Sequence, residues 1–248
     1  MGGTGRAVAL MQPTFLPWSG YVALADAADV FVFLDDFQFQ RRSWHHRNRM
    51  FSSPDDPTWV TVPVTHGRTD GRPAIAEVAP ILDTGFRKTF RGVLQHGYGR
   101  SDHLDMLQPA LDDWIDREWT TLADFNIAFI ELVLAQLGIE TETRRSSEIG
   151  SSGKRSARIA DLLGRVGATR YLSAAGSRDY MLEDGVFPLA GVDTAFQDYA
   201  PAAYPQAGAS EFVPYLSVLD VLLQVGPERA LGVIRAGSRP FQPWMDRT

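Results

Sequence analysis

The sequence has 248 residues with 24 Lys and Arg against 30 Asp and Glu, a formal net charge of −6 and no cysteine. Its length is ample for a sizeable core, and 44% apolar with 22% charged residues excludes a disordered chain. The missing thiols exclude a disulfide framework, a cysteine nucleophile and a Cys-ligated metal, and no apolar run nears the ~20 residues of a membrane span.

The first element is a strand over 7–11, stopped by Gln12-Pro13 and a loop through Pro17. A short helix from about Ser19 carries Tyr21, Leu24, Ala25 and Ala28 on one face. Residues 30–34 are apolar at every position, the pattern of a strand buried on both faces in a parallel sheet. The connection between the two strands is too long for a hairpin and suits a right-handed βαβ crossover. Residues 58–64 alternate like a half-exposed strand, with Pro63 marking an edge, and 74–82 reads as a further strand. Three helices are expected between Phe86 and Leu137, the last stopped by Gly138. The βα rhythm then resumes. Strands are expected at 139–143, 170–173 and 194–197, with helices at 157–163 and 179–189 and from Tyr215 and Pro227.

These elements predict an α/β chain with a Rossmann-like open, mainly parallel five-stranded sheet and helices on both faces. We expect a single domain over 1–248, with a largely helical insertion at about 65–137. In such sheets ligands bind beyond the carboxyl ends of the strands, where the strand order reverses. The segments following the five strands are 12–21, 35–48, 146–154, 173–180 and 198–206. They hold most of the unusual polar residues, which points to one site.

The densest of them carries Arg41, Arg42, Arg47 and Arg49 in an acidic chain. Guanidinium groups match phosphate and carboxylate oxygens in two-point geometry, so an anion site is one reading and a solvated charged loop the other. His45 and His46 are adjacent and cannot easily ligate one metal together; a general base near neutral pH is the chemical alternative to a surface histidine. Asp35 and Asp36 close a buried strand and suit either Mg2+ or capping and ion pairing with the arginines. No metal is expected overall. The first turn of the helix at Ser19-Gly20 is a candidate anion site. Gly150-Ser-Ser-Gly-Lys154 lacks the spacer of a phosphate loop, although Lys154 at a helix start suits phosphate oxygens. Ser173-Ala-Ala-Gly-Ser177 is not a nucleophile elbow. Arg178, Asp179 and Tyr180 read as binding or capping residues.

An ordered set of motifs resembles the WbqC-like protein family. These are Gln12-Pro-Thr-Phe-Leu-Pro-Trp-Ser-Gly-Tyr21, Phe33-Leu-Asp-Asp-Phe-Gln-Phe39, Arg42-Ser-Trp-His-His-Arg-Asn-Arg49 and Trp59-Val-Thr-Val-Pro-Val64, followed by Tyr171-Leu-Ser173, Arg178-Asp-Tyr180, Tyr204-Pro-Gln206 and Leu216-Ser-Val-Leu-Asp-Val-Leu222. The resemblance spans nearly the whole chain. It implies a setting in surface-polysaccharide or specialised-metabolite biosynthesis and the modification of an amino sugar or amine. At the level of fold alone, the opening is similar to HUP-type nucleotidyltransferases such as pantothenate synthetase. Those carry His-x-Gly-His where this chain has Trp18-Ser-Gly20-Tyr21, and only the glycine is kept.

The expected activity is transfer of an acyl or aminoacyl group onto an amine, the donor being a coenzyme A or carrier-protein thioester or a nucleotide. His45, His46, Asp35, Asp36 and Ser173 are the candidate catalytic residues. Gln12, Trp18, Tyr21, Arg41, Arg42, Arg47, Asn48, Lys154, Arg178, Asp179, Tyr180, Tyr204 and Gln206 are the candidate binding residues. The expected partners are an amine or amino-sugar substrate and an acyl carrier protein, with no nucleic acid and no membrane insertion. The opening residues are too short for a secretory signal, and a cytoplasmic location is expected. The alternatives are an ATP-dependent ligase or nucleotidyltransferase and a non-catalytic sugar-nucleotide-binding protein.

Overall fold

A computed structural model describes residues 5–53, 55–65, 72–206 and 209–245. β1 (Ala7–Met11) leads through α1 (Ser19–Asp26) to β2 (Val30–Phe33), which is buried at all four positions. An antiparallel hairpin follows, β3 (Arg47–Ser53) and β4 (Asp56–Thr61). Next come α2 (Thr84–Tyr98), α3 (Leu104–Asp116) and α4 (Leu122–Gln136). The βα alternation resumes with β5 (Glu142–Arg145), α5 (Ser146–Ile149), α6 (Arg155–Arg165), β6 (Arg170–Ser173), α7 (Arg178–Asp184) and β7 (Asp193–Tyr199). α8 (Val218–Val225), α9 (Pro227–Ala236) and β8 (Ser238–Pro243) complete the described chain.

The central sheet runs β5-β2-β1-β6-β7-β8. Its first five strands pair in parallel and β8 joins β7 antiparallel. Alternation along the strands divides the core. Ala9, Phe31, Phe33, Leu172 and Ala195 face the layer that includes α1, α4 and α8. Val8, Leu10, Val30, Val32 and Tyr171 face α6 and α7. Both faces are therefore covered, as a parallel sheet requires. From β1 the chain winds outward through β2 and β5, then returns to add β6 and β7 on the other side. The order reverses between β1 and β6, and their carboxyl ends open a crevice there.

Three differences from the sequence reading have local causes. The expected strand at 74–82 is a 3-10 turn, Ile75–Glu77, flanked by isolated bridges at Ala74 and Pro80. Pro73 and Pro80 deny the segment the backbone donors of a continuous ladder. Half of the arginine-rich loop is strand β3, paired with β4 in the register Arg47↔Thr61 and Arg49↔Trp59. The sheet has six strands rather than five, because 238–243 folds onto its edge, where Pro240 and Pro243 are tolerated.

The loop after β1 is anchored by Phe15, fully buried against the stacked pair of Trp114 and Phe125, whose centroids are 4.3 Å apart. Trp114 Nε1 donates to Phe125 O at 2.9 Å, satisfying the buried indole. Helix α4 begins at Thr121, whose hydroxyl accepts from Asp124 N at 3.0 Å. Thr121→Ala is expected to cost about 1 kcal/mol, read as a shifted urea midpoint at constant slope.

Candidate functional site

The carboxyl ends of β1, β2 and β6 open into a cleft of about 750 Å3, within the roughly 300–1,000 Å3 of small-molecule sites. Its floor includes Met11, Gln12 and Ser173. The loop after β2 supplies a wall through Gln38, Gln40, Trp44 and His45, and the start of α6 supplies another through Lys154, Arg155 and Arg158. Among the described residues the lining contains these three cations and no carboxylate.

The cations differ. Arg155 pairs with Asp184 at 3.0 Å, and Arg158 pairs with Asp36 while its Nε donates to Ser151 Oγ at 2.8 Å. The Lys154 ammonium has no ion pair or hydrogen bond among the described residues. The first turn of α6 is already occupied by a carboxylate, since Ser156 N and Oγ donate to Asp184 Oδ2 at 3.2 and 2.7 Å. The Ser156 hydroxyl and burial pull oppositely on Asp184, and the hydroxyl leads in holding its carboxyl below the usual range. Lys154, and not the helix terminus, is therefore the group offered to an anion.

His45 is buried. Its Nδ1 accepts from Gln40 N at 3.1 Å and its Nε2 lies 3.1 Å from Gln12 Oε1. Burial first, and then the neighbouring His46, lower its pKa to about 4, so the ring is neutral at pH 7. Asn126, fully buried on α4, donates to His45 O at 2.8 Å and to Pro13 O at 3.1 Å, tying the two cleft-forming loops together. On the β6 side, Ser173 Oγ donates to Tyr171 OH at 3.1 Å and meets Ser177 Oγ at 2.5 Å. Ser177 Oγ donates to Ala174 O at 2.7 Å. Burial raises the pKa of both tyrosines near this cluster, Tyr171 and Tyr180. The hydroxyls are therefore protonated donors or acceptors at neutral pH.

Of the residues singled out in the sequence, Gln12, His45, Lys154, Ser173 and Tyr180 line the cleft. The remainder do not. His46 is half-buried behind it, with Nδ1 3.1 Å from Val62 O and Nε2 accepting from Arg42 N at 3.0 Å. Asp35 accepts from Ser147 N and Oγ at 3.0 and 2.6 Å and from Ser146 Oγ at 3.1 Å, while Asp36 accepts from Ser146 and Arg158. Both carboxylates thus tie β2 to the α5–α6 region. Arg47 lies with its guanidinium carbon 4.4 Å from the Trp59 ring centroid, and Arg41 and Arg42 are exposed in the turn before β3. Asn48 is buried and donates to Leu16 O. Tyr21 OH donates to Gln12 O at 3.2 Å from beneath the floor. Arg178 lies over Phe196, and neither it nor Asp179 lines the cleft.

Trp18 covers the first turn of α1, edge-on to Tyr199 and so close to Gly20 that a Cβ there would sit 2.3 Å from its ring. That turn is therefore closed to a phosphate. The segment at 198–206 leaves the crevice altogether. Tyr204 and Gln206 join Tyr98 around the buried carboxylate of Asp220 instead. Sequence reasoning missed Thr14, Gln38, Gln40, Ser43, Trp44, Arg155, Arg158 and Ser177 as lining residues. Only Arg158 had a usable signal, its i+4 spacing from Lys154 at the head of a helix.

Among the described residues no three His, Asp or Glu side chains form a group able to hold a metal, and no helix is long and apolar enough to cross a membrane. Residues 12–231 match the model of the WbqC-like protein family, a span that takes in every cleft-forming loop.

This chain belongs to the WbqC-like family.

A relative from Mycobacterium tuberculosis (strain ATCC 25618 / H37Rv), named uncharacterized protein Rv1507c, is 29% identical over 229 residues. That match covers 90% of this chain and 95% of the relative. No solved structure matches.

Proposed function

We propose that this WbqC-like chain is a transferase that moves an acyl or aminoacyl group onto the amine of an amino sugar, nucleotide sugar or related metabolite. The observation that carries the reading is the lining of the cleft. It has three cations, one of them unpaired among the described residues, no carboxylate, and uncharged amide, hydroxyl and imidazole groups on the other wall. Such a site suits an activated donor with an anionic handle held at Lys154 and a carbonyl polarised by neutral donors. The amine nitrogen attacks the carbonyl carbon, a C–N bond forms and the bond to the leaving group breaks with its electron pair. The displaced proton passes to the leaving group or to solvent. Because the acceptor nitrogen of His45 is already bonded and no carboxylate among the described residues lines the cleft, the amine enters as its free base. The rate then rises with pH through the pKa of the amine. The covered first turn of α1 weighs against the ligase alternative.

The test is incubation of the full chain with acyl thioesters, free or carrier-bound, and nucleotide-linked amino sugars, following thiol release and the mass of a new amide. Release that requires both substrates is expected. Turnover only with ATP and Mg2+, with pyrophosphate produced, would replace the transferase with a ligase. A bound donor at 100 times its dissociation constant stabilises the fold by about 2.7 kcal/mol, so thermal shift finds it first. Lys154→Ala is expected to weaken a phosphate-bearing donor about tenfold and flatten the salt dependence of its binding. The unfolding midpoint should not move, since no fold contact depends on this ammonium.

A further inference from the structure

Gln12, Thr14 and His45 all line the cleft, and the hydrogen bonds among them and their neighbours run in one direction. The Gln40 backbone N–H donates to His45 Nδ1, which uses that lone pair and leaves the proton of the neutral ring on Nε2. The Nε2–H then donates across 3.1 Å to Gln12 Oε1. This fixes which way round the carboxamide lies. Its NH2 group faces away from the histidine, one N–H reaching Gln38 O at 3.4 Å and the other without an acceptor among the described residues. Thr14 also lines the cleft, but its Oγ1 is buried beneath the surface and unpaired among the described residues.

We propose that Gln12 Nε2 forms the subsite for the carbonyl oxygen of an acyl group, with His45 as the positioning residue that turns the Gln12 donors toward it. The reaction served is the acyl transfer proposed above; the assignment itself rests on the hydrogen-bond directions. As the amine attacks, negative charge develops on that oxygen, and donors already oriented stabilise it without reorganising. The directional chain from Gln40 through His45 strengthens the Gln12 N–H as a donor, because each bond polarises the next. His45 keeps its proton throughout and exchanges none with the substrate.

Two experiments on the full chain test this. Histidine ring 15N NMR at pH 7 is expected to show His45 unprotonated at Nδ1 and protonated at Nε2. The opposite tautomer, with Nε2 an acceptor, would turn the Gln12 amide around and overturn the subsite whatever the protein turns over. The second is a binding series of oxoalkylphosphonates, with the carbonyl two to six carbons from phosphorus, each paired with the alkylphosphonate of equal length. At least one ketone should bind about tenfold tighter than its partner. Gln12→Leu and His45→Phe should abolish that preference, while alkylphosphonate affinity stays unchanged and reports an intact cleft. If no ketone exceeds its alkyl partner the subsite is wrong. If neither class binds, the anionic-donor reading of the cleft fails, and the subsite with it.

Discussion

Asp220→Ala is expected to lower the stability of the protein by about 3–5 kcal/mol, because the carboxylate is the hub of a buried network. Asp220 is fully buried on α8 and accepts from Tyr98 OH at 2.9 Å, from Gln206 Nε2 at 2.9 Å and from Tyr204 OH. Burial raises its pKa against these donors and that of Gln224, each of which favours the charged form. Tyr98 in turn accepts from Phe51 N at 3.1 Å, so the network joins α2, β3, α8 and the segment after β7. Removing the acceptor strands several donors at once around a fully buried carboxylate, and each costs up to about 1–3 kcal/mol before relaxation. Asp220→Asn keeps one acceptor and should lose less. Tyr98→Phe removes one donor and should cost about 1 kcal/mol or a little more. Urea unfolding at constant slope is the measurement. A loss below about 1 kcal/mol for Asp220→Ala would mean that the network is not held together by its carboxylate.

That network also shows where the sequence stopped being legible. β1 and β2 could be read because a strand covered on both faces is apolar at nearly every position, and the long connection between them leaves only a parallel pairing. The crevice followed from the same logic, and Gln12, His45, Lys154 and Ser173 fall in it. Tyr204 and Gln206 were placed there by the rule that loops after parallel strands converge. The loop after β7 instead turns to α8, because Asp220 offers buried acceptor atoms that neither Tyr204 nor Gln206 could reveal in isolation. Asp35 and Asp36 are the same lesson in reverse. Their partners Ser146, Ser147 and Arg158 lie more than a hundred residues away, so a carboxylate pair that reads as reactive is committed to structure. The edge strand β8 was hidden by two prolines, which argue against a central strand and are harmless at an edge.

Acidification should destabilise the protein through His45. Its folded pKa of about 4 lies below the unfolded value of 6.5. Between those values the unfolded chain binds the proton and the folded chain does not. The stabilisation is therefore present in full above pH 6.5 and is lost as the pH falls from there through 4. Over the whole window it amounts to about 3 kcal/mol, and between pH 7.5 and pH 5 to about 2 kcal/mol. His46 shifts in the same direction and adds to the slope, its burial outweighing the Val62 carbonyl that favours the charged ring. The physical cause at His45 is specific. A second proton on the ring would sit on Nδ1, against the Gln40 N–H that now donates to it, on a side chain whose burial strips most of the water from the charge. Urea unfolding of the wild type at pH 5 and pH 7.5 is expected to differ by at least that ~2 kcal/mol, and His45→Gln should remove most of the difference. An undiminished difference in the variant would show that His45 is not the titrating group. The folded ring stays neutral until about pH 4, and a protonated ring would still donate from Nε2 to Gln12 Oε1, so the ketone preference should persist from pH 7.5 to pH 5 while stability falls.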